Sequence, residues 1–343
     1  MRGALTEPPT AASGPVAAKM AGGYRSRSAH DKLRERKAPQ GREGEEMRVN
    51  LDKSEASALS RLFSAAVIRD FSRHSHSPLF ARLLTSTRFG TEIPREATVG
   101  TTFDQAFKLL SKSKLRDDYI YRNAIVEKIL LGRHNLNTAT LLSELRAGSC
   151  KADVVILNGT STAYEIKSER DSLSRLRNQV ENYRQVFAEV NVVVSTSHLA
   201  EVLRITPEDV GVITLSERYR LQTIRRAQNK PERVNPTMIL DTLRVEEAIS
   251  ILSRLGRETP DVPNTKMRSK LRHIFATLEP AVVHEESVKT LKTNRSQVGL
   301  ASFISSMPAS VRAASLAANP TPSNRVRIKE AVETPLDEAL AWI

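Results

Sequence analysis

One cysteine, Cys150, occurs in 343 residues. That excludes a disulfide framework within the chain and any zinc or iron–sulfur site built on four cysteines. No uninterrupted apolar run approaches the roughly 18 residues of a membrane span. Aromatic residues make up only 5%, too few for an RNA binder that works mainly by stacking on bases. No G-x-x-x-x-G-K-[ST] loop is present, which argues against an intrinsic ATP motor. Acid is also in deficit: 52 Lys+Arg against 39 Asp+Glu leave a formal charge of +13. These features predict a soluble, cytoplasmic protein of a reducing compartment, with no membrane contact. The charge points to a polyanionic partner, as a bias on association and not as a fold or an activity.

Four regions follow from pattern and composition. Residues 1–46 hold Pro8, Pro9, Gly14, Pro15, Gly22, Gly23 and Pro39 among scattered charges, and read as a disordered basic tail. Met47 is an alternative start. Residues 47–117 show helical spacing in Leu59, Leu62, Phe63 and Ala66, and again in Phe103, Ala106, Phe107 and Leu110. Residues 118–226 read as a mixed α/β core: a helix over 118–132, strands over 141–146, 152–157 and 162–168, a helix over 172–188, a strand over 191–195, and weaker strands to 224. Residues 235–343 are helical, with a loosely packed end expected from Pro320 and Pro322 onward.

The chemistry concentrates between Lys151 and Lys167. On a strand, residues two apart share a face, so Glu165 and Lys167 point one way and Tyr164 and Ile166 the other. Asn158-Gly159 is a hairpin signal. A two-residue turn there would put Asp153 and Glu165 on opposite faces. A three-residue loop would pair them directly, roughly 4.5–5.5 Å apart at Cβ. Two carboxylates so placed repel, and a divalent cation resolves the conflict; hard oxygens suit Mg²⁺ or Mn²⁺. Glu127 falls on the apolar stripe Ile120, Ala124, Leu131 of the preceding helix, where a carboxylate is costly unless paired or near a metal. Gln179 borders the stripe Leu176, Val180, Tyr183 of the following helix.

Taken together, Asp153-x11-Glu165-Ile166-Lys167, with Glu127 before it and Gln179-x3-Tyr183 after it, resembles the PD-(D/E)xK nuclease superfamily. The stretches Tyr121-Arg122-Asn123-Ala124, Tyr164 to Glu169 and Gln179 to Tyr183 are similar to the bacterial sce7726 family of that fold. Ala152 stands where the motif's name has proline. The resemblance implies a restriction-endonuclease-like mixed sheet flanked by helices, with helical extensions at both ends. It implies metal ligation by Asp153, Glu165, the Ile166 carbonyl and Glu127. It implies Lys167 assisting the attacking water, Gln179 positioning Lys167 or the phosphate, and a nuclease acting on DNA.

Arg146, Arg175, Arg177, Tyr183, Arg225 and Arg226 are the expected nucleic-acid contacts, since each neutralised phosphate adds affinity and salt sensitivity. DNA is the expected partner and RNA the other candidate, with a protein partner or homodimer also compatible. Two rival readings stand beside the enzyme. One is a catalytically inactive nucleic-acid binder of the same fold. The other is a structural or regulatory helical protein whose Asp153, Glu165 and Lys167 form an ion-paired patch.

Overall fold

Asp52 caps the first helix of the described chain. Its carboxylate accepts from the Glu55 N–H at 2.8 Å, and the Glu55 carboxylate accepts from the Asp52 N–H at 3.2 Å, a reciprocal arrangement that satisfies two end donors at once. In the computed structural model, which describes residues 51–112 and 116–342, this helix α1 (Lys53–Leu62) is followed by α2 (Ala65–His74), α3 (Pro78–Thr85), α4 (Arg88–Glu92) and α5 (Val99–Lys112). Their apolar stripes meet around Phe71, Phe80 and Phe103, all fully buried. The expected tail over 1–46 lies outside the described residues.

Next comes α6 (Asp118–Ile125), which passes directly into a π-helical turn over Val126–Leu130. A π turn spaces its contacts five residues apart. Buried Ala124 is therefore followed on the inner side by Ile129 and Leu130, while Leu131 rolls outward. The regular stripe is broken just beyond Glu127, whose own side chain remains largely buried, 15% exposed.

The sheet begins as a meander of β1 (Thr140–Ala147), β2 (Cys150–Leu157) and β3 (Ser161–Lys167), antiparallel throughout. Leu157 pairs with Ser161, so Asn158, Gly159 and Thr160 form a three-residue loop. Gly159 takes φ +73°, the left-handed position such loops require. The register continued by one residue sets Asp153 opposite Glu165. On the other side of β2, the β1 register sets Glu144 opposite Asp153. Glu144 has φ +54°, a sparsely populated backbone state for a non-glycine residue.

The β1–β2 turn uses Gly148 at φ +60°, and an added Cβ would lie 2.1 Å from Asn182 Oδ1. Gly148→Ala should therefore lower unfolding free energy by more than about 1 kcal/mol. Urea unfolding would show this as a lower midpoint at constant slope; an unchanged midpoint would mean the turn relaxes freely.

From β3 the chain crosses through α7 (Leu176–Arg184) to β4 (Glu189–Val194), then through α8 (Leu199–Ile205) to β5 (Gly211–Leu215). These links are parallel, which needs crossovers of this kind. β6 (Leu221–Arg225) returns antiparallel along β5, and the six strands lie in sequence order. The protein is thus mixed α/β, with a six-stranded mixed sheet.

The helices α9 (Pro236–Leu240), α10 (Val245–Arg254), α11 (Asn264–Phe275) and α12 (Pro280–Asn294) join the sheet's core. Ile251, Leu271, Phe275 and Val283 share one apolar cluster with Val155, Leu157, Ala163 and Val192. The chain then forms α13 (Ala301–Ser306), α14 (Arg312–Ala318), α15 (Pro322–Glu333) and α16 (Leu336–Leu340).

The end expected to be loose is packed. Ile328, Ala331, Leu336 and Ala339 are fully buried, Thr98 bridges Pro335, and the Trp342 ring lies 5.9 Å from that of Phe71. The proline reading misses this because Pro322 starts α15, where its lacking N–H costs nothing. No described helix is long and apolar enough to cross a membrane.

Candidate functional site

The site is the C-terminal end of β3 with the facing parts of β2 and α7. Glu165 and Lys167 are buried, 1% and 5% exposed. The Lys167 ammonium donates to Glu165 Oε1 at 2.7 Å. From α7, Gln179 Nε2 donates to the same oxygen at 2.5 Å, and Tyr183 Oη donates to Glu165 Oε2 at 2.7 Å. Tyr183 Oη also lies 2.6 Å from the Lys151 carbonyl oxygen. Helical spacing of four residues puts Gln179 and Tyr183 on one face, and that face looks at Glu165.

Asp153 is half-buried. Its Oδ2 accepts from the Ile166 N–H at 2.8 Å; Oδ1 accepts no hydrogen bond among the described residues. Burial first, and the Glu165 charge second, push the Asp153 carboxyl up to about 7. The Ile166 N–H and the Arg122 charge pull the other way.

Two side chains of α6 enter this field, and neither is Glu127. Arg122 donates to Glu144 at 3.3 Å and acts favourably on Asp153, while Asp118 acts on Asp153 as a like charge. Asp118 is exposed as a residue, yet its carboxyl packs against Asp171. Burial there, then Asp171, raise it to about 6. Asp171 in turn accepts from the Ser168 N–H and hydroxyl at 2.7 and 2.6 Å. Tyr121 donates to Glu169 at 3.0 Å, tying α6 to the segment after β3.

Glu127 is placed elsewhere: its carboxylate is held by Arg312 of α14 at 3.3 and 3.4 Å. It sits nine residues beyond Asp118, roughly 13 Å along a helix. The helical carboxylate whose charge acts on Asp153 is therefore Asp118. Sequence reasoning passes over it because an acidic first turn reads as ordinary helix capping.

The expected nucleic-acid contacts divide. Arg175 and Arg177 are exposed at the start of α7, and Arg146 is exposed on β1, donating to the Gly148 carbonyl at 3.2 Å. Tyr183 is fully buried, so it positions Glu165 and has no surface to offer a nucleic acid. Arg225 pairs along the sheet in line with Glu165, but three strands away, roughly 14 Å. It is spent on the Val210 carbonyl at 2.7 Å and the Thr206 hydroxyl at 2.5 Å. Arg226 is exposed beside it.

Asp153 and Glu165 offer the hard oxygen donors that suit Mg²⁺ or Mn²⁺. Asp153 has an oxygen to give, and Gln179 Oε1 is buried without a hydrogen-bond partner, an acceptor left over beside the carboxylates. No group of three or more His, Cys, Asp or Glu side chains is gathered for a metal among the described residues. A cation here would complete its shell from water, substrate and backbone oxygen, as Mg²⁺ commonly does.

A family model described as Bacteriophage P4 protein cII matches residues 111–317, more than half of the chain. Protein cII of Enterobacteria phage P4 is 31% identical over 126 residues, which are 35% of this chain and 47% of that protein. The chain thus matches about half the length of this curated relative. Among solved structures, the SPO1766 protein of unknown function from Silicibacter pomeroyi is 17% identical. That likeness covers 35% of this chain and 81% of that one, at a TM-score of 0.24.

Proposed function

The chain belongs to the bacteriophage P4 protein cII family, and we propose that the region it shares with that family is a restriction-endonuclease-like, Mg²⁺- or Mn²⁺-dependent nuclease acting on DNA. The observation that carries this reading is the strand register. It opposes Asp153 to Glu165 and sets the Lys167 ammonium 2.7 Å from Glu165 on the same strand.

The divalent cation, held by Asp153, Glu165 and the Ile166 carbonyl, supplies Lewis-acid polarisation of a phosphodiester. The remaining roles belong to the chain itself. Asp153 must shed its proton to become a ligand. Gln179 and Tyr183 fix both oxygens of Glu165, so the carboxylate meets its partner without rotamer search. Lys167 carries a buried positive charge to the place where phosphate charge develops, where it can orient the attacking water and favour its ionisation electrostatically. Gln179 Oε1 is an acceptor for a proton of that water or of Lys167.

One observation favours a second reading. Both Glu165 oxygens are already occupied, as in a structural ion-paired patch. The two readings part on metal-dependent turnover. Supercoiled plasmid, linear duplex, single strand, branched DNA and RNA would be incubated with Mg²⁺, Mn²⁺ or EDTA. The expected result is cleavage of DNA that needs the metal and falls at least 100-fold in Glu165→Gln. Cleavage that survives this change belongs to another site. No cleavage, with salt-sensitive DNA binding retained, would favour the inactive binder.

A further inference from the structure

Between α1, α2, α6 and α14 lies a cleft of about 710 Å³ lined by four arginines and two aspartates. Arg61 and Arg69 come from α1 and α2, Arg122 from α6, and Arg170 from the segment after β3. The acidic residues on its lining are Asp117 and Asp118. Arg61 and Arg69 are exposed, and their guanidinium groups make no ion pair or hydrogen bond among the described residues. The floor is smooth: Ala313, Ala314, Ala317 and Ala318 of α14 bring nothing larger than a methyl group to the space.

Three further features point to a phosphate ligand. The first residues of α2 open on the cleft, and Ser64, its N-cap, makes no side-chain capping bond. The free N–H groups and the dipole of such an end favour an anion. Ser57 and Ser72, one exposed and one half-buried, add hydroxyl-bearing residues to the lining. The cleft also leads toward the reacting end of the sheet, because Arg122 lines it and donates to Glu144, which the β1–β2 register sets opposite Asp153.

We infer that this cleft binds the phosphate backbone of single-stranded DNA and delivers it to Asp153 and Glu165. The size selects the strand: a space of small-ligand scale takes roughly one or two nucleotides, whereas a duplex does not enter. Recognition is through phosphates, since the aromatic rings near the cleft are not free to stack on bases. Phe63 is buried and lies face to face with Tyr119 at 4.7 Å. The walls from α1 and α2 lie outside the matched residues 111–317. The inference rests on the nuclease reading for the fate of the strand at Asp153, and stands apart from it for the binding itself.

The test is anisotropy of a labelled twelve-nucleotide oligothymidine on the full chain, without divalent metal, over a salt series. Arg61→Ala/Arg69→Ala should weaken binding at least tenfold and reduce the salt slope by roughly 1.4, about 0.7 for each lost phosphate contact on a single strand. Both side chains are exposed, so the melting temperature should stay within about 1 °C; Ala317→Trp, which fills the cleft, should weaken binding as well. Unchanged affinity in both variants overturns the inference, as does equal weakening for a blunt duplex. Tighter binding of the matching oligoribonucleotide reassigns the occupant to RNA. If binding falls as stated while no substrate is ever cleaved, the cleft stands and the nuclease reading fails. If cleavage is intact and binding is not moved, the reverse holds.

Discussion

Replacing Lys167 by methionine should lower the stability of the metal-free protein by about 3–5 kcal/mol, the usual cost of stranding one partner of a buried ion pair. Glu165 is 1% exposed, and the Lys167 ammonium is the cation that bonds its carboxylate. Gln179 and Tyr183 donate neutral hydrogen bonds and cannot replace the charge. With Asp153 directly opposite, a lone Glu165 carboxylate would face a second acid across the strand pair. For a chain of this size the loss corresponds to a fall in melting temperature on the order of 10 °C.

The second variant needed is Lys167→Met/Glu165→Gln, which removes both charges at similar volume. It should recover most of the loss, because a buried pair replaced as a pair is often close to neutral. Calorimetry on the four proteins of this double-mutant cycle gives the coupling directly. Additive losses, or no loss in the single variant, would show that the two charges are not coupled as their 2.7 Å contact implies.

The other large effect concerns Asp153 and pH. An ordinary aspartate titrates near 3.8, and this one is raised to about 7, chiefly by burial and then by Glu165. Between those values the folded chain keeps a proton that the unfolded chain has released. The stability contributed by this group is therefore fully present below about pH 4 and is lost as pH rises through 7. Asp153→Asn removes the loss. The variant should melt several degrees above the parent at pH 8, with the gap closing toward pH 5.

Divalent metal should reverse the order. A cation competes with the proton, so Mg²⁺ at millimolar concentration should raise the parent's melting temperature at pH 8, do little at pH 5, and leave Asp153→Asn unmoved. Equal stabilisation of parent and variant by Mg²⁺ would place the cation elsewhere. A pH-independent gap between them would remove the raised titration of Asp153.

Much of this site was legible in the residue order. Alternation along a strand is a local rule, so the shared face of Glu165 and Lys167 needed no tertiary information. The Gln179–Tyr183 spacing likewise gave one helical face, and the apolar stripe beside it gave the direction. Asn158-Gly159 announced the hairpin, yet left its loop at two or three residues. One residue of register decided whether Asp153 met Glu165 or turned its back, and packing of the sheet chose the longer loop.

Glu127 shows what periodicity leaves open. Its side chain does stay largely buried, 15% exposed, at the start of the π turn over Val126–Leu130, but spacing cannot name the partner it finds there. Arg312, 185 residues away in sequence, then takes its carboxylate. Arg225 is a related case: a dense basic stretch says nothing about which guanidinium is turned to a backbone carbonyl and a hydroxyl within the fold.

Residue order alone sets what is local and periodic: the mixed α/β order, the faces of β3 and α7, the hairpin, and the excess of positive charge. Packing settles which carboxylate of α6 acts on Asp153, that Tyr183 is an internal strut, and that α1 and α2 bring Arg61 and Arg69 to the same cleft as Arg122 and Arg170. Those are contacts between segments tens to hundreds of residues apart. They depend on how whole elements pack, and no spacing within one element encodes them.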